Sequence, residues 1–294
     1  MDVLISGVTG LIGGALSSEL LTTGERVTGL SRSSGSGHVH WDPETGELDV
    51  TQLEGFDAVV HLAGESIASG RWTAAKRERI LRSRVRGTRL LAEGLATLRR
   101  RPSVFVVASA VGYYGHRPGE KLDETSASGE GFLAEVCRQW ETAADTAREA
   151  GIRTVHTRFG MVLSPAGGAL KPLLRTARLG LAGPIGGGEQ TWSWVALEDV
   201  AGALAHVMRT PELEGPVNVV APNPVPQREF AAALGRILGR PAFVPLPAPA
   251  ARLALGQMAD ELLLPSQDVR PMKLAASGYR FRWPELEPAL RAML

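Results

Sequence analysis

Three glycines spaced Gly7-x-x-Gly10-x-x-Gly13 follow the apolar run Val3–Ser6 and open onto a helical stretch from Ala15 to Leu21. Strand, glycine turn and helix in that order make a cradle for a pyrophosphate. Gly7 permits the tight turn, Gly10 lets a phosphate approach the backbone, and Gly13 lets the helix pack closely on its strand. The same loop carries Thr9, Leu11 and Ile12, and the helix start offers free N–H groups and the positive end of its dipole to an anion. The predicted ligand is a dinucleotide. Roughly 20 positions further on, where a carboxylate would receive the ribose 2′-hydroxyl of NAD, the chain has Ser31-Arg32-Ser33. Arg32 can pair with a 2′-phosphate and the serines supply hydroxyls, so the expected cofactor is NADP(H).

Proton transfer has fewer candidates. Tyr113 and Tyr114 leave the strand that ends near Ser109, and a phenol beside a nicotinamide cation is favoured to ionise and can serve as general acid. The other reading of these tyrosines is that both rings pack the crevice wall. His61 precedes a Leu-Ala-Gly turn on a buried strand, which suits a structural histidine. Cys137 has no cation nearby in sequence to hold a thiolate, so a nucleophilic role is not expected. Asp199 reads as an anchor for the helix that follows it. No grouping of His, Asp and Glu has metal-ligand spacing, and no metal is expected.

To converge, these residues need a scaffold of alternating elements. The first half supplies it: Val3–Ser6, Leu11–Leu21, Val27–Leu30, a helical stretch before Val59–Ala63, Lys76–Leu98 and Ser103–Ser109. Phe132–Ala150 then reads as helix and Thr154–Leu163 as strand. Strands alternating with helices predict a doubly wound parallel α/β sheet, a Rossmann fold, with ligands at the carboxyl ends of the strands. There the glycine loop, Arg32, Gly64 and Ser109 should meet. After Leu163 glycine and proline gather at Pro165–Gly168 and Gly183–Gly188, followed by Gln190–Trp194 and a helix from Glu198 to Met208. We read residues 1–163 as the NADP-binding domain. Residues 164–294 are read as a smaller lobe covering the crevice, with a return to the main sheet near Val217–Val220. Pro241–Pro249 reads as an extended connector to the tail.

The 294 residues are 44% hydrophobic and 21% charged, enough for a large core. A formal net charge of +1 gives no electrostatic reason to expect nucleic acid or a membrane surface. A single cysteine excludes an internal disulfide, and no apolar run is long enough to span a bilayer. The expected compartment is cytoplasmic, the expected partner a small-molecule substrate, and no oligomeric state is assigned.

The glycine loop, His61-Leu62-Ala63-Gly64, Arg84 with Gly87-Thr88, Ser109 with Tyr113-Tyr114-Gly115, and Trp194 with Asp199 resemble the extended short-chain dehydrogenase/reductase superfamily. Leu62-Ala63-Gly64-Glu65, Arg71-Trp72, Leu179-Gly180, Gly183-Pro184-Ile185-Gly186 and Gly278-Tyr279 are similar to its epimerase/dehydratase-like branch of NADP-dependent oxidoreductases. The resemblance spans roughly the whole chain. It implies that Ser31 and Arg32 meet the adenosine phosphate, that Leu62 and Ala63 line the adenine and ribose side, and that Arg84 and Val162 reach the cofactor further along. It also implies that Ser109 polarises a substrate carbonyl and that Gln190 and Trp192 cover the substrate. One departure stands out. Members ordinarily carry Tyr-x-x-x-Lys on a helix, and here Leu133 and Cys137 fall at those positions. An NADP(H)-dependent oxidoreductase acting on a small carbonyl or alcohol, with Ser109 and Tyr113 or Tyr114 handling the proton, leads. A non-catalytic NADPH-binding sensor follows, and a sugar-nucleotide epimerase is weakened by Leu133.

Overall fold

The valine-rich runs of the first half are strands buried on both faces, the expected burial for a parallel sheet covered by helices on each side. The computed structural model describes residues 1–33 and 37–294. Its first strands are β1 (Asp2–Ser6), β2 (Arg26–Ser31), β3 (His38–Asp42), β4 (Glu47–Leu48), β5 (Ala58–His61) and β6 (Val104–Ala110). Then come β7 (Lys121–Leu122), β8 (Arg153–Phe159), β9 (Met161–Ser164), β10 (Gly167–Gly168), β11 (Thr191–Trp192), β12 (Trp194–Ala196) and β13 (Gly215–Val219). The eight-stranded main sheet has the order β13-β8-β6-β5-β1-β2-β3-β4. Within this sheet, among the described residues, only the β3–β4 pair is antiparallel. This is a doubly wound Rossmann sheet. Its flanking helices include α1 (Leu11–Thr22), α2 (Ala74–Ala96), α3 (Phe132–Thr142) and α4 (Asp145–Glu149).

Three local expectations are corrected. The stretch before β5 is not helical: it forms β3, β4 and a short 3-10 turn over Val50–Leu53. Val39 and Trp41 alternate into the core on β3, and Gly46, at φ +78°, closes the return to β4. The apolar run Thr154–Leu163 is two strands, because Gly160 brings the backbone against Ser193: a Cβ there would stand 2.7 Å from the Ser193 carbonyl oxygen. Past that point β9 leaves the main sheet and pairs with β12. The long helix over Phe132–Ala150 divides into α3 and α4.

The second half builds its own apolar core and also completes the first. Helix α5 (Leu170–Arg178) contributes Leu170 and Leu174 to a cluster with Trp194, Phe230 and Leu290. Helix α6 (Leu197–Arg209) packs on α1, and β13 adds the outermost strand beside β8. The tail is tied back through Asp199. Its buried carboxylate accepts from the backbone N–H groups of Arg282 (2.7 Å) and Trp283 (2.9 Å), with the Tyr279 hydroxyl at 3.3 Å. Asp199 therefore anchors the tail, whereas the sequence had placed it in service of its own helix. Among the described residues no helix is long and apolar enough to cross a membrane.

Asp199→Ala strips these donors of their shared acceptor inside the protein. We expect a loss of about 2–3 kcal/mol, seen as a melting temperature lower by roughly 5 °C in a thermal unfolding scan. An unchanged midpoint would show that the tail is held by apolar packing alone.

Candidate functional site

The glycine turn has the geometry its spacing predicts. Gly7 lies at φ +71°, and a Cβ there would stand 3.0 Å from the Ala63 nitrogen. At Gly13 a Cβ would overlap the Gly7 carbonyl oxygen and lie 2.9 Å from the Gly7 carbonyl carbon, so the start of α1 rests directly on the turn. Gly10 precedes α1 without a side-chain cap, and Thr9 and Gly10 are exposed. The first N–H groups of α1 thus face an open cradle with no side chain filling it, which fits a pyrophosphate. Leu11 packs beneath Gly167 and Gly168, and β9 with Val162 runs along the same rim.

The floor is built from Ser6. Its hydroxyl oxygen accepts from the N–H groups of Leu62 (3.1 Å) and Ala63 (3.2 Å), which fixes the exit of β5 beside Gly7. With those lone pairs taken, the Ser6 proton goes to His61 Nδ1 at 2.6 Å. His61 is fully buried and burial pushes its pKa down to about 3, with the Arg84 charge adding to the shift. It is a neutral structural histidine. Gly64 is exposed at the rim, and the Arg84 guanidinium lies 3.4 Å beneath the position a Cβ of Gly64 would take. Arg84 donates to the carbonyls of Glu65 (3.0 Å) and Ile80 (3.1 Å) and stacks over Trp140. At the other end, Ser31 closes β2 and Arg32 follows it, exposed.

The proton-transfer candidates are less available. Ser109 is buried, and its hydroxyl donates to Glu141 Oε1 at 2.7 Å. Arg158 holds the same carboxylate with two bonds, Nε to Oε1 at 2.9 Å and Nη2 to Oε2 at 2.8 Å. It also donates to the Tyr114 hydroxyl at 3.0 Å. Tyr114 in turn donates to Asn218 Oδ1 at 2.8 Å and has no exposed surface; burial pushes its pKa up to about 12. Ser109 and Tyr114, expected as proton-handling groups, are thus spent on a sealed network. A hydroxyl already bonded to a buried carboxylate does not polarise a substrate carbonyl. Tyr113 differs: it is partly exposed, with the Arg158 guanidinium 3.5 Å from its ring centre. Leu133 and Cys137 are buried where the sequence put them, and burial together with Glu141 pushes the thiol up to about 11.

Gln190 and Trp192 do not form a substrate wall. The Gln190 amide donates to the carbonyls of Ile185 and Leu263, both at 3.0 Å. Trp192 is 6% exposed, tilted on Phe230, with its indole N–H donating to Leu263. Both are fasteners of the lobe core. The tail supplies side chains beside α3 and the loop after β6 that residue type and spacing do not single out. Glu261 accepts from the N–H groups of Phe132 (2.9 Å) and Leu133 (3.1 Å), capping α3. The Gln267 amide donates to the carbonyls of Val111 and Gly115. Between them is a cavity of about 130 Å³ lined by Gly112, His116, Glu130, Leu133, Glu261 and Gln267 among others. A separate cavity of about 550 Å³ between α1 and α6 contains none of the expected site residues.

Glycine cradle, parallel sheet and strand-end crevice define a Rossmann dinucleotide-binding protein of the extended short-chain dehydrogenase/reductase type. The model of the NAD dependent epimerase/dehydratase family matches residues 3–220, and a domain of unknown function, DUF1731, matches residues 246–293. The chain belongs to the NAD dependent epimerase/dehydratase family. It is similar to an epimerase family protein of Mycobacterium tuberculosis, 41% identical over 295 residues, covering 98% of this chain and 96% of that protein. It is also similar to the human epimerase family protein SDR39U1, whose crystal structure with NADPH superposes at a TM-score of 0.92 and 37% identity, covering 100% and 99% of the chains. A nucleoside-diphosphate sugar epimerase from Corynebacterium glutamicum matches at a TM-score of 0.83 and 36% identity, over 100% of this chain and 58% of that one. The cofactor in the human structure is the phosphorylated form that Ser31-Arg32 led us to expect.

Two outcomes test the cradle and its floor. Gly13→Ala should abolish NADPH binding in a fluorescence titration, since its methyl displaces the turn that α1 rests on; retained affinity would refute the cradle. The His61 pKa lies below its unfolded value of 6.5, so its neutral burial costs nothing above that pH and loses stability as pH falls from 6.5 toward 3. The loss approaches about 1.4 kcal/mol per pH unit for the one proton involved. His156 is also held low by burial, so urea melts of His61→Gln should show this dependence reduced by one proton, not removed.

Proposed function

We propose that this chain is an NADP(H)-dependent oxidoreductase acting on a small, uncharged carbonyl or alcohol, with Tyr113 as the hydroxyl that moves the proton. The observation that carries this reading is the division of the two tyrosines: Tyr114 is sealed, whereas Tyr113 stays partly exposed at the exit of β6 with its ring held face-on by Arg158. A cation on the ring face fixes the orientation of the phenol. The bound cofactor would supply or accept the hydride. Gly7, Gly10 and Gly13 would hold its pyrophosphate, Leu62 and Ala63 would border its adenosine, and Ser31 with Arg32 would take its 2′-phosphate. Tyr113 would then protonate the substrate oxygen from its own Oη, or accept that proton in the reverse direction.

The cavity beside Leu133 supports a small substrate. About 130 Å³ is well below the usual range for drug-sized ligands, and Glu130, Asp260 and Glu261 line it. A diphosphate would meet like charge there, which argues against a sugar nucleotide even though related proteins carry the epimerase name. We place the protein in the cytoplasm on its composition and single cysteine. A non-catalytic NADPH sensor is the second reading, favoured by two observations: Ser109 and Tyr114 are locked in the buried network, and Leu133 and Cys137 fall at the usual proton-transfer positions.

A panel of small aldehydes, ketones and alcohols followed by NADPH absorbance separates the two. Turnover that falls about a hundredfold or more in Tyr113→Phe, at unchanged NADPH affinity, supports the proposal. Turnover indifferent to that change removes Tyr113, and tight NADPH binding without any turnover favours the sensor.

A further inference from the structure

Gly29 lies in the interior of β2 with ordinary strand geometry, so no turn or left-handed backbone calls for a glycine there. The space beside it does. A Cβ on Gly29 would overlap Nδ1 of His38 and stand 2.7 Å from its Cε1 and 2.8 Å from Val8 Cγ1. His38 opens β3 and is the ladder partner of Gly29. Its imidazole lies on the bare backbone of β2, in the volume a side chain would otherwise fill.

That seat is beside the cofactor cradle. Residues 29 and 31 share one face of β2 by strand alternation, and Val8, which touches the same spot, directly follows Gly7 in the glycine turn. The ring therefore stands between the glycine turn and the strand end that carries Ser31 and Arg32, and His38 is exposed. A cofactor with its pyrophosphate on the turn has its adenosine ribose at the end of the second strand. An imidazole N–H there donates to a phosphate oxygen in a charge-assisted bond.

We propose that His38 is a third ligand of the 2′-phosphate of NADP(H), beside Ser31 and Arg32, and that position 29 is glycine because the imidazole occupies its side-chain space. This rests on the NADP(H) reading of the site. It extends the phosphate subsite to β3, a strand that sequence reasoning had taken for helix.

The test is equilibrium binding of NADPH and NADH, by fluorescence titration, to the full chain and to His38→Ala, His38→Arg and Arg32→Ala. His38→Ala should bind NADPH about five- to tenfold more weakly with NADH affinity and melting temperature unchanged. His38→Arg, which keeps a donor at that place, should restore NADPH binding. 2′,5′-ADP used as competitor should lose affinity for His38→Ala by the same factor. An equal loss for both dinucleotides would mean that His38 supports adenine or the sheet, and no loss would leave it outside the site; either overturns the proposal. Should the unaltered protein fail to prefer NADPH over NADH, the NADP(H) reading itself falls, a failure distinct from an unaffected His38→Ala.

Discussion

Arg158 is a guanidinium enclosed where β6, β8 and β13 lie side by side, and a charge so placed must be matched at every donor. Glu141 of α3 takes two of its bonds, the Tyr114 hydroxyl takes a third, and the Tyr113 ring covers its face. Through Glu141 the requirement reaches Ser109, and through Tyr114 it reaches Asn218 on β13. Asn218 then meets Glu124, whose carboxylate also receives the backbone of Lys273. One buried charge thus dictates the packing of α3, the conformation of the segment after β6 and the docking of part of the tail. It also occupies two of the three hydroxyls that residue type alone would nominate, those of Ser109 and Tyr114.

The crevice has two halves built on different physics. The adenosine and pyrophosphate half is made of absences: glycines where a methyl would collide with the turn, with Ala63 or with a neighbouring imidazole. It offers an anion backbone N–H groups and a few exposed donors around them. The other half is made of side chains that satisfy one another, and it leaves Tyr113 as the one member of its hydroxyl trio with exposed surface. The division separates a cradle shaped by backbone from a wall shaped by paired side chains.

The C-terminal segment packs against that wall. Glu261 terminates α3 as a cap and lines the cavity beside Leu133, while Gln267 and Ser266 fasten the loop at Gly115 and His116. A carboxylate at a helix N-terminus is stabilised there by the exposed N–H groups and the dipole. The residues matched by the DUF1731 model therefore pack on α3 and on the loop after β6, beside the cavity at Leu133.

The amino-acid sequence by itself determined the parallel sheet and the glycine cradle, and it carried the expectation of a phosphorylated cofactor. Those depend on local patterns: alternation of strand and helix, glycine spacing, and Ser31-Arg32 where a carboxylate would otherwise stand. It also placed His61 and Cys137 as buried and unreactive, since an apolar surrounding is visible from neighbours in sequence. Only the tertiary structure decided which hydroxyls remain free. Ser109 meets Glu141 and Tyr114 meets Arg158 and Asn218 across separations of 32, 44 and 104 residues, contacts that no local spacing encodes. The same holds for Gln190 and Trp192, whose types suggest a ligand surface but whose donors are taken by Leu263 at the end of a short π-helix, 73 and 71 residues away. Polar side chains reveal a capacity to bond, and burial against partners far along the chain settles what they bond to.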